Sequence, residues 1–137
     1  QPDLISEQIR LALGQRIGYD QNAVKSHGAS ISLRIVAEDA GRGFRPWVGT
    51  ITGCTFPKYS WAAVSSHVPG DRPYRIPIDF DHVLALVLVW GDSMQDAKKK
   101  AARFIKKTTI RGRDANNNPV ITNLDYLKDN LDRLLTY

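Results

Sequence analysis

Apolar and polar positions alternate along residues 30–37. Ile31, Leu33, Ile35 and Ala37 fall to one side, and Ser32, Arg34 and Val36 to the other. A period of two is that of a strand buried on one face. Residues 82–90, HVLALVLVW, are apolar without interruption after His82, which reads as a central strand covered on both faces and ended by Gly91 and Asp92. Other segments repeat at three and four. In DLISEQIRLAL (3–13), Leu4, Ile5, Ile9, Ala12 and Leu13 share a helical face, with Asp3 placed to cap the start and Gly14 the end. Ser93 opens a second helix through Ser93-x-x-Asp96, a variant of the capping box. Its buried stripe is Met94, Ala97, Ala101, Phe104 and Ile105, with Lys98, Lys99 and Lys100 toward the outer side. A third helix begins near Thr122, with Thr122-x-x-Asp125 as a similar cap, and buries Leu124, Leu127, Leu131 and Leu134.

Between these elements the chain is short of helical pattern. Residues 15–29 form a polar connector, and residues 40–49, with three glycines and a proline, form a loop. Short strands are expected at 49–55 and 60–67, an exposed turn at 68–77, a strand at 108–112 stopped by Gly112, and a surface insertion at DANNNP (114–119). The connections between the middle strands are too short for parallel crossovers, so the strands should pair mostly antiparallel. The expected fold is an α+β domain, a mostly antiparallel sheet flanked by helices, occupying residues 1–137 as one unit.

Composition adds little to that picture. The 137 residues carry a formal charge of +5, with 42% apolar and 24% charged residues, ordinary for a globular domain. The charge is compatible with an anionic partner without identifying one. A single cysteine, Cys54, excludes an internal disulfide framework and points to a reducing compartment, with the thiol read as a buried small residue. The longest apolar run has eight residues, against the roughly 20 a membrane helix needs. The first residue is Gln1 and a helix follows at once, so a piece of a longer polypeptide is expected.

Candidate chemistry is sparse. No phosphate-binding GxxxxGK[ST] loop is present, and Gly41-Arg42-Gly43 reads as a turn. His27, His67 and His82 lack metal-ligand spacing. Lys98–Lys100 lack the interleaved aromatic residues of a nucleic-acid platform and read as a solvated helix face. The three tryptophans, Trp47, Trp61 and Trp90, are expected to pack in the core. Arg34 stands apart, because a guanidinium on a half-buried strand needs an acid or an anion. Glu38, Asp39 and Asp81 are acids within reach. The spacing leaves two readings open: a structural ion pair, or a fixed cation facing an anion in a cleft.

Four stretches then resemble, in order, the C-terminal domain of biotin carboxylase, the ATP-grasp component of biotin-dependent carboxylases. They are DLISEQIRLALGQRI (3–17), LRIVAEDAGRGFRPWVGTI (33–51), FDHVLALVLVWG (80–91), and the closing helix, TTIRG and TNLDYL (122–127). The second is similar to the family's C-R-I-N-A-E-D-P…F-x-P-x-x-G-x-I. The resemblance implies ATP- and bicarbonate-dependent carboxylation of biotin on a carrier protein, through carboxyphosphate and an enolate-like biotin anion. Arg34 takes the position of the arginine that stabilises that anion, with Asp81 and Glu38 supporting the pocket. It implies no cofactor or metal held by these residues alone. ATP, magnesium or manganese, and biotin belong to the parent enzyme, whose ATP-grasp lobes would lie upstream. The other implied partners are a biotin carrier domain and a second subunit of the same kind, with no nucleic acid and no membrane.

The expected parent is an acetyl-CoA or acyl-CoA carboxylase of fatty acid biosynthesis, cytoplasmic or alternatively mitochondrial, and the isolated chain is expected to be inactive. Ser32, Val36, Ala40, His82 and Leu86 depart from the family's glutamate, asparagine, proline, serine and lysine. Those departures support an alternative, a non-catalytic scaffold domain that keeps the fold. A basic nucleic-acid binder using Lys98–Lys100, Lys106 and Lys107 is the third reading.

Overall fold

A computed structural model describes residues 3–135, except for the side chain of Leu134. Its main sheet holds three antiparallel strands. The central one is β7 (Val83–Gly91), flanked by β1 (Ala29–Val36) and β5 (Ala62–Ser65). A second antiparallel sheet has β4 (Thr50–Thr55) between β6 (Tyr74–Arg75) and β8 (Thr109–Arg113). The pair β2 (Glu38–Asp39) and β3 (Arg45–Pro46) forms a hairpin around the 3₁₀ turn Ala40–Arg42. Helix α2 (Met94–Lys107) lies on β7 and β1, and α3 (Leu124–Leu134) packs on α2. The α+β class with antiparallel pairing is therefore as expected.

The core lies between the inner face of the main sheet and α2. Ile31, Leu33 and Ile35 of β1 and Leu84, Val87 and Val89 of β7 meet Phe104 and Ile105 of the helix, with Leu131 of α3 behind. Ala97 and Ala101, one turn apart and fully buried, allow close approach of α2 to the strands. Ser93 Oγ accepts from the Asp96 amide at 3.2 Å, so half of the expected capping box forms. The other half does not: Asp96 Oδ2 takes the Asp92 amide at 3.1 Å and Lys100 Nζ at 2.7 Å. Those bonds to Lys100 and Asp92 hold the Asp96 carboxyl below its ordinary range.

Several expectations need correction. β7 is covered on one face only, because Leu86, Leu88 and Trp90 remain 40–50% exposed. An unbroken apolar run carries no period, so it cannot say which faces find cover. Trp90 is accordingly a surface residue, whereas Trp47 is buried and Trp61 stacks on Tyr59 with centroids 4.1 Å apart. Val36 is also buried, not on the outer side with Arg34. The register slips between Ile35 and Val36, which face Ala85 and Val83 and leave Leu84 as the extra residue of a bulge. The extra residue shifts the phase of β7, where Leu84 and Ala85 are both buried, whereas β1 keeps its phase to the buried Ala37 and Val36 is covered in addition, beside Asn123.

The Pro-rich segment 68–77 contains the short strand β6, paired with Thr50 and Ile51. Gly112 lies inside β8 rather than ending it, since a Cβ there would press on the Thr50 carbonyl and Ile51. α3 starts at Asn123 rather than by a Thr122–Asp125 box. Lys98 and Lys100 are not free in solvent: Lys98 pairs with Asp132 at 3.6 Å, and Lys100 with Asp96.

Helix α1 (Leu4–Ala12) forms as its caps predict. Asp3 Oδ1 accepts from the Ile5 amide at 3.0 Å, and the Gly14 and Gln15 amides close a Schellman turn on Leu11 and Arg10. None of its residues is buried, and Leu4, Ile5, Ile9 and Leu13 are each more than half exposed. The apolar face of α1 and the outer face of β7 are both uncovered, and exposed apolar patches of this kind mark interaction surfaces.

Candidate functional site

Strand alternation places Ser32 and Arg34 on the outer face of β1. The register sets Arg34 opposite Leu86, and Ser32 opposite Leu88. Across β7, Leu86 and Leu88 face Ser65 and Ala63 of β5. Arg34 is therefore a cation on an otherwise apolar and small-residue sheet face. Its Nη2 donates to Asp81 Oδ2 at 2.5 Å, and the two side chains are 56% and 78% exposed. Of the three acids within sequence reach, Asp81 is the partner. Asp39 instead accepts from the Gly41 amide and pairs with Arg42 at 3.6 Å. The expectation of a half-buried arginine is corrected, because nothing among the described residues covers this face. The pair is held from one side and open on the other.

The backbone that carries Arg34 is fixed by a residue that sequence reading passed over. β1 is an edge strand, and between Arg34 and Val36 it turns a carbonyl and an amide away from β7. Asn123 fills that edge. Its Nδ2 donates to the Arg34 carbonyl at 2.9 Å, and its Oδ1 accepts from the Val36 amide at 3.0 Å. Its own amide donates to the Val36 carbonyl at 3.1 Å. The carboxamide thus stands in for a neighbouring peptide unit, having one donor end and one acceptor end. At 8% exposure Asn123 is the buried polar residue of the described chain. This is also why it makes no side-chain cap for α3. In sequence it looked like an ordinary residue before a helix.

A cleft of about 370 Å³ opens beside this edge, lined by Ser32, Arg34, Glu38, Phe44, Asn123 and Tyr126 among others. Glu38 is half-buried and lines it without pairing to Arg34. Arg34, Asp81 and Glu38 are thus gathered around one region, with Asp81 engaging the guanidinium and Glu38 on the cleft wall. Phe44 rests edge-on against Tyr126, centroids 5.0 Å apart at 88°.

Cys54 is half-buried, and burial pushes its thiol pKa up, which disfavours the reactive thiolate. Asp114 accepts from the Asn116 and Asn118 amides and from Asn118 Nδ2, which closes the DANNNP turn and lowers its carboxyl. Among the described residues no three His, Cys, Asp or Glu side chains converge as a metal site, and no helix is long and apolar enough to cross a membrane.

The model of the biotin carboxylase C-terminal domain matches residues 32–132. Chloroplastic biotin carboxylase 2 of Populus trichocarpa is 38% identical over 130 residues, 95% of this chain and 23% of that protein. The biotin carboxylase domain dimer of 2-oxoglutarate carboxylase from Hydrogenobacter thermophilus, solved with MgADP, ADP and bicarbonate, superposes with a TM-score of 0.80 at 27% identity. That match covers 96% of this chain and 27% of that one. Kluyveromyces lactis urea carboxylase gives 0.76 at 31%, covering 93% of this chain and 10% of its own. The chain spans about a quarter or less of the length of these relatives.

Proposed function

Because the chain belongs to the biotin carboxylase C-terminal domain family, we propose that it is one domain of a biotin carboxylase and supplies Arg34 to that enzyme's reaction. The reaction is the ATP- and bicarbonate-dependent carboxylation of biotin on a carrier protein. Arg34 faces the negative charge that develops on the ring urea. Asp81 fixes the guanidinium, and Glu38 shapes the cleft wall. A cation held on a strand is preorganised for that charge, and such groups act most strongly where water is excluded. The observation that carries the reading is the placement of Arg34: rigid backbone below, one acid partner at its side, and open surface in front.

That open surface supports a set of partners. Leu86, Leu88 and Trp90, with the apolar side of α1, are where the other lobes of the same polypeptide would close the site. The biotin carrier and a second copy of the enzyme complete the assembly. ATP and magnesium or manganese are assigned to those lobes. The parent is read as an acyl-CoA carboxylase, and its setting as reducing, cytoplasmic or alternatively mitochondrial. The acyl-CoA assignment is supported by the names of the relatives: those at 36–38% identity are named for biotin carboxylase alone, three of them chloroplastic, while those named for urea amidolyase, pyruvate or 2-oxoglutarate stand at 30–34%.

The test is made in the full-length carboxylase. Arg34→Ala should lower biotin carboxylation about 10²–10³-fold, the usual loss when one preorganised charge donor is removed, with binding of the carrier unchanged. The 137-residue chain alone should release no ADP from ATP with bicarbonate and free biotin. A second reading, a scaffold domain without a catalytic part, is favoured by the exposure of the Arg34–Asp81 pair and by Leu86 opposite Arg34. It predicts that Arg34→Ala leaves carboxylation intact.

A further inference from the structure

Phe44 adopts a backbone conformation that its side chain resists. Among the described residues, two that are not glycine have positive φ: Phe44 at 58° and Asn117 at 66°. Asn117 sits in a polar turn, and asparagine tolerates that region. A bulky aromatic does not, because its Cβ crowds the backbone. Gly43 before it is left-handed as well, at φ 67° and ψ 36°. Two successive left-handed residues lead the chain from the 3₁₀ turn into β3, and glycine at both positions would make that path without strain. Burial does not explain the choice, since Phe44 remains 45% exposed. What the ring does touch is Tyr126, edge-on, and it forms one wall of the cleft that contains Arg34 and Glu38. Strain of this kind persists where surrounding contacts over-determine it, and it gathers at ligand sites.

We infer that Phe44 is a positioning residue for the substrate: its phenyl ring is the apolar wall against which the flat ring urea of biotin lies while the urea edge meets Arg34. This inference rests on the carboxylase reading above. The chemistry suits the pair of groups. A planar, neutral heterocycle stacks on or abuts a phenyl ring without needing a charge there. The same wall displaces water from beside the guanidinium, and a charge interaction strengthens as local polarity falls. Tyr126 and Asn123 both come from the start of α3. One segment therefore supports the aromatic wall through Tyr126 and the arginine through its backbone.

The experiment uses the full-length carboxylase with free biotin as the varied substrate, and three variants: Phe44→Gly, Phe44→Leu and Phe44→Tyr. Arg34→Ala serves as the control. Melting temperature is followed in parallel. Phe44→Gly relieves the backbone and should melt at or above the parent temperature, while KM for free biotin rises about tenfold, the loss of one good apolar contact. Phe44→Leu should show an intermediate KM, and it carries the test if the glycine variant does not fold. Phe44→Tyr restores the ring and should return KM to within about threefold of the parent.

Unchanged KM in both Phe44→Gly and Phe44→Leu, with Arg34→Ala inactive, overturns the inference and leaves the carboxylase reading standing. A fall in melting temperature that tracks lost activity at constant KM also overturns it, because that is the behaviour of a structural residue. An active Arg34→Ala enzyme removes the reading itself, and the inference with it.

Discussion

Asn123→Ala is the substitution whose cost can be worked most directly from the structure. The carboxamide makes two hydrogen bonds to the backbone on either side of the bulge, at 2.9 and 3.0 Å. Removing it leaves the buried Val36 amide without an acceptor, which costs about 1–3 kcal/mol. The Arg34 carbonyl is only partly buried, and water can reach it once the side chain is gone. Its loss is then about 1 kcal/mol, the net value of an ordinary hydrogen bond. The sum is about 2–4 kcal/mol. Against the ~5–15 kcal/mol by which domains are stable, that is a large fraction.

The assay is urea unfolding of the chain followed by tryptophan fluorescence. With a mid-range slope of about 2 kcal/mol per molar urea, the midpoint should fall by about 1–2 M. Asn123→Asp adds a signed pH test. Its carboxylate can still accept from Val36 but faces the Arg34 carbonyl with a second acceptor, so burial and repulsion raise its folded pKa above the unfolded value near 3.9. A group with a raised folded pKa contributes stability that is present below the unfolded pKa and lost as pH rises through the folded one. The Asp variant should therefore come closest to the parent in acid and fall away toward neutral pH. A change below about 0.5 kcal/mol for Asn123→Ala, the scatter of neutral surface substitutions, would refute the claim that Asn123 holds the bulge.

Leu88→Lys combined with Trp90→Lys should leave the isolated chain folded, because both side chains are 40–45% exposed and lysine stems can lie over the same sheet surface. In the full-length enzyme the same pair should prevent assembly of the lobes, read by sedimentation and limited proteolysis; normal assembly would show that this sheet face is open surface by design. Asp96, whose carboxyl is lowered by Lys100 and the Asp92 amide, contributes stability present above its ordinary value of 3.8 and lost as pH falls through the depressed folded value. Lys100→Ala should move the Asp96 titration upward by NMR and shift the loss of its stability contribution to higher pH; an unmoved titration would mean the ion pair is not made in solution.

Much of the fold was legible because it is local. Residues 30–35 alternate with period two, the α2 stripe recurs at three and four, and Asp3, Gly14 and Ser93 are cap residues at positions where caps form. Those patterns placed β1, β7, α1, α2 and α3, and they put Arg34 on the side of β1 opposite Leu33 and Ile35. The strand β6 escaped because its two residues sit among prolines and exist only through pairing with Thr50 and Ile51.

What the tertiary structure alone decided is how these pieces face one another. Asp81 rather than Glu38 or Asp39 meets Arg34 because the segment leading into β7 carries residue 81 to within side-chain reach of residue 34, although the strand register itself sets Arg34 opposite Leu86. Val36 is buried although it is out of phase with Ile35 and Ala37, beside the Asn123 side chain. Asn123, 89 residues from Arg34 in sequence, became its backbone support only when α3 closed on the free edge of β1. The exposure of Leu86, Leu88 and Trp90 likewise depends on which surfaces come together. Periodicity along a chain encodes the faces of single elements, because side-chain direction repeats with the backbone. Which face meets which, and which polar atom fills a gap in a ladder, is set by distances between segments far apart in sequence, and no local pattern contains those distances.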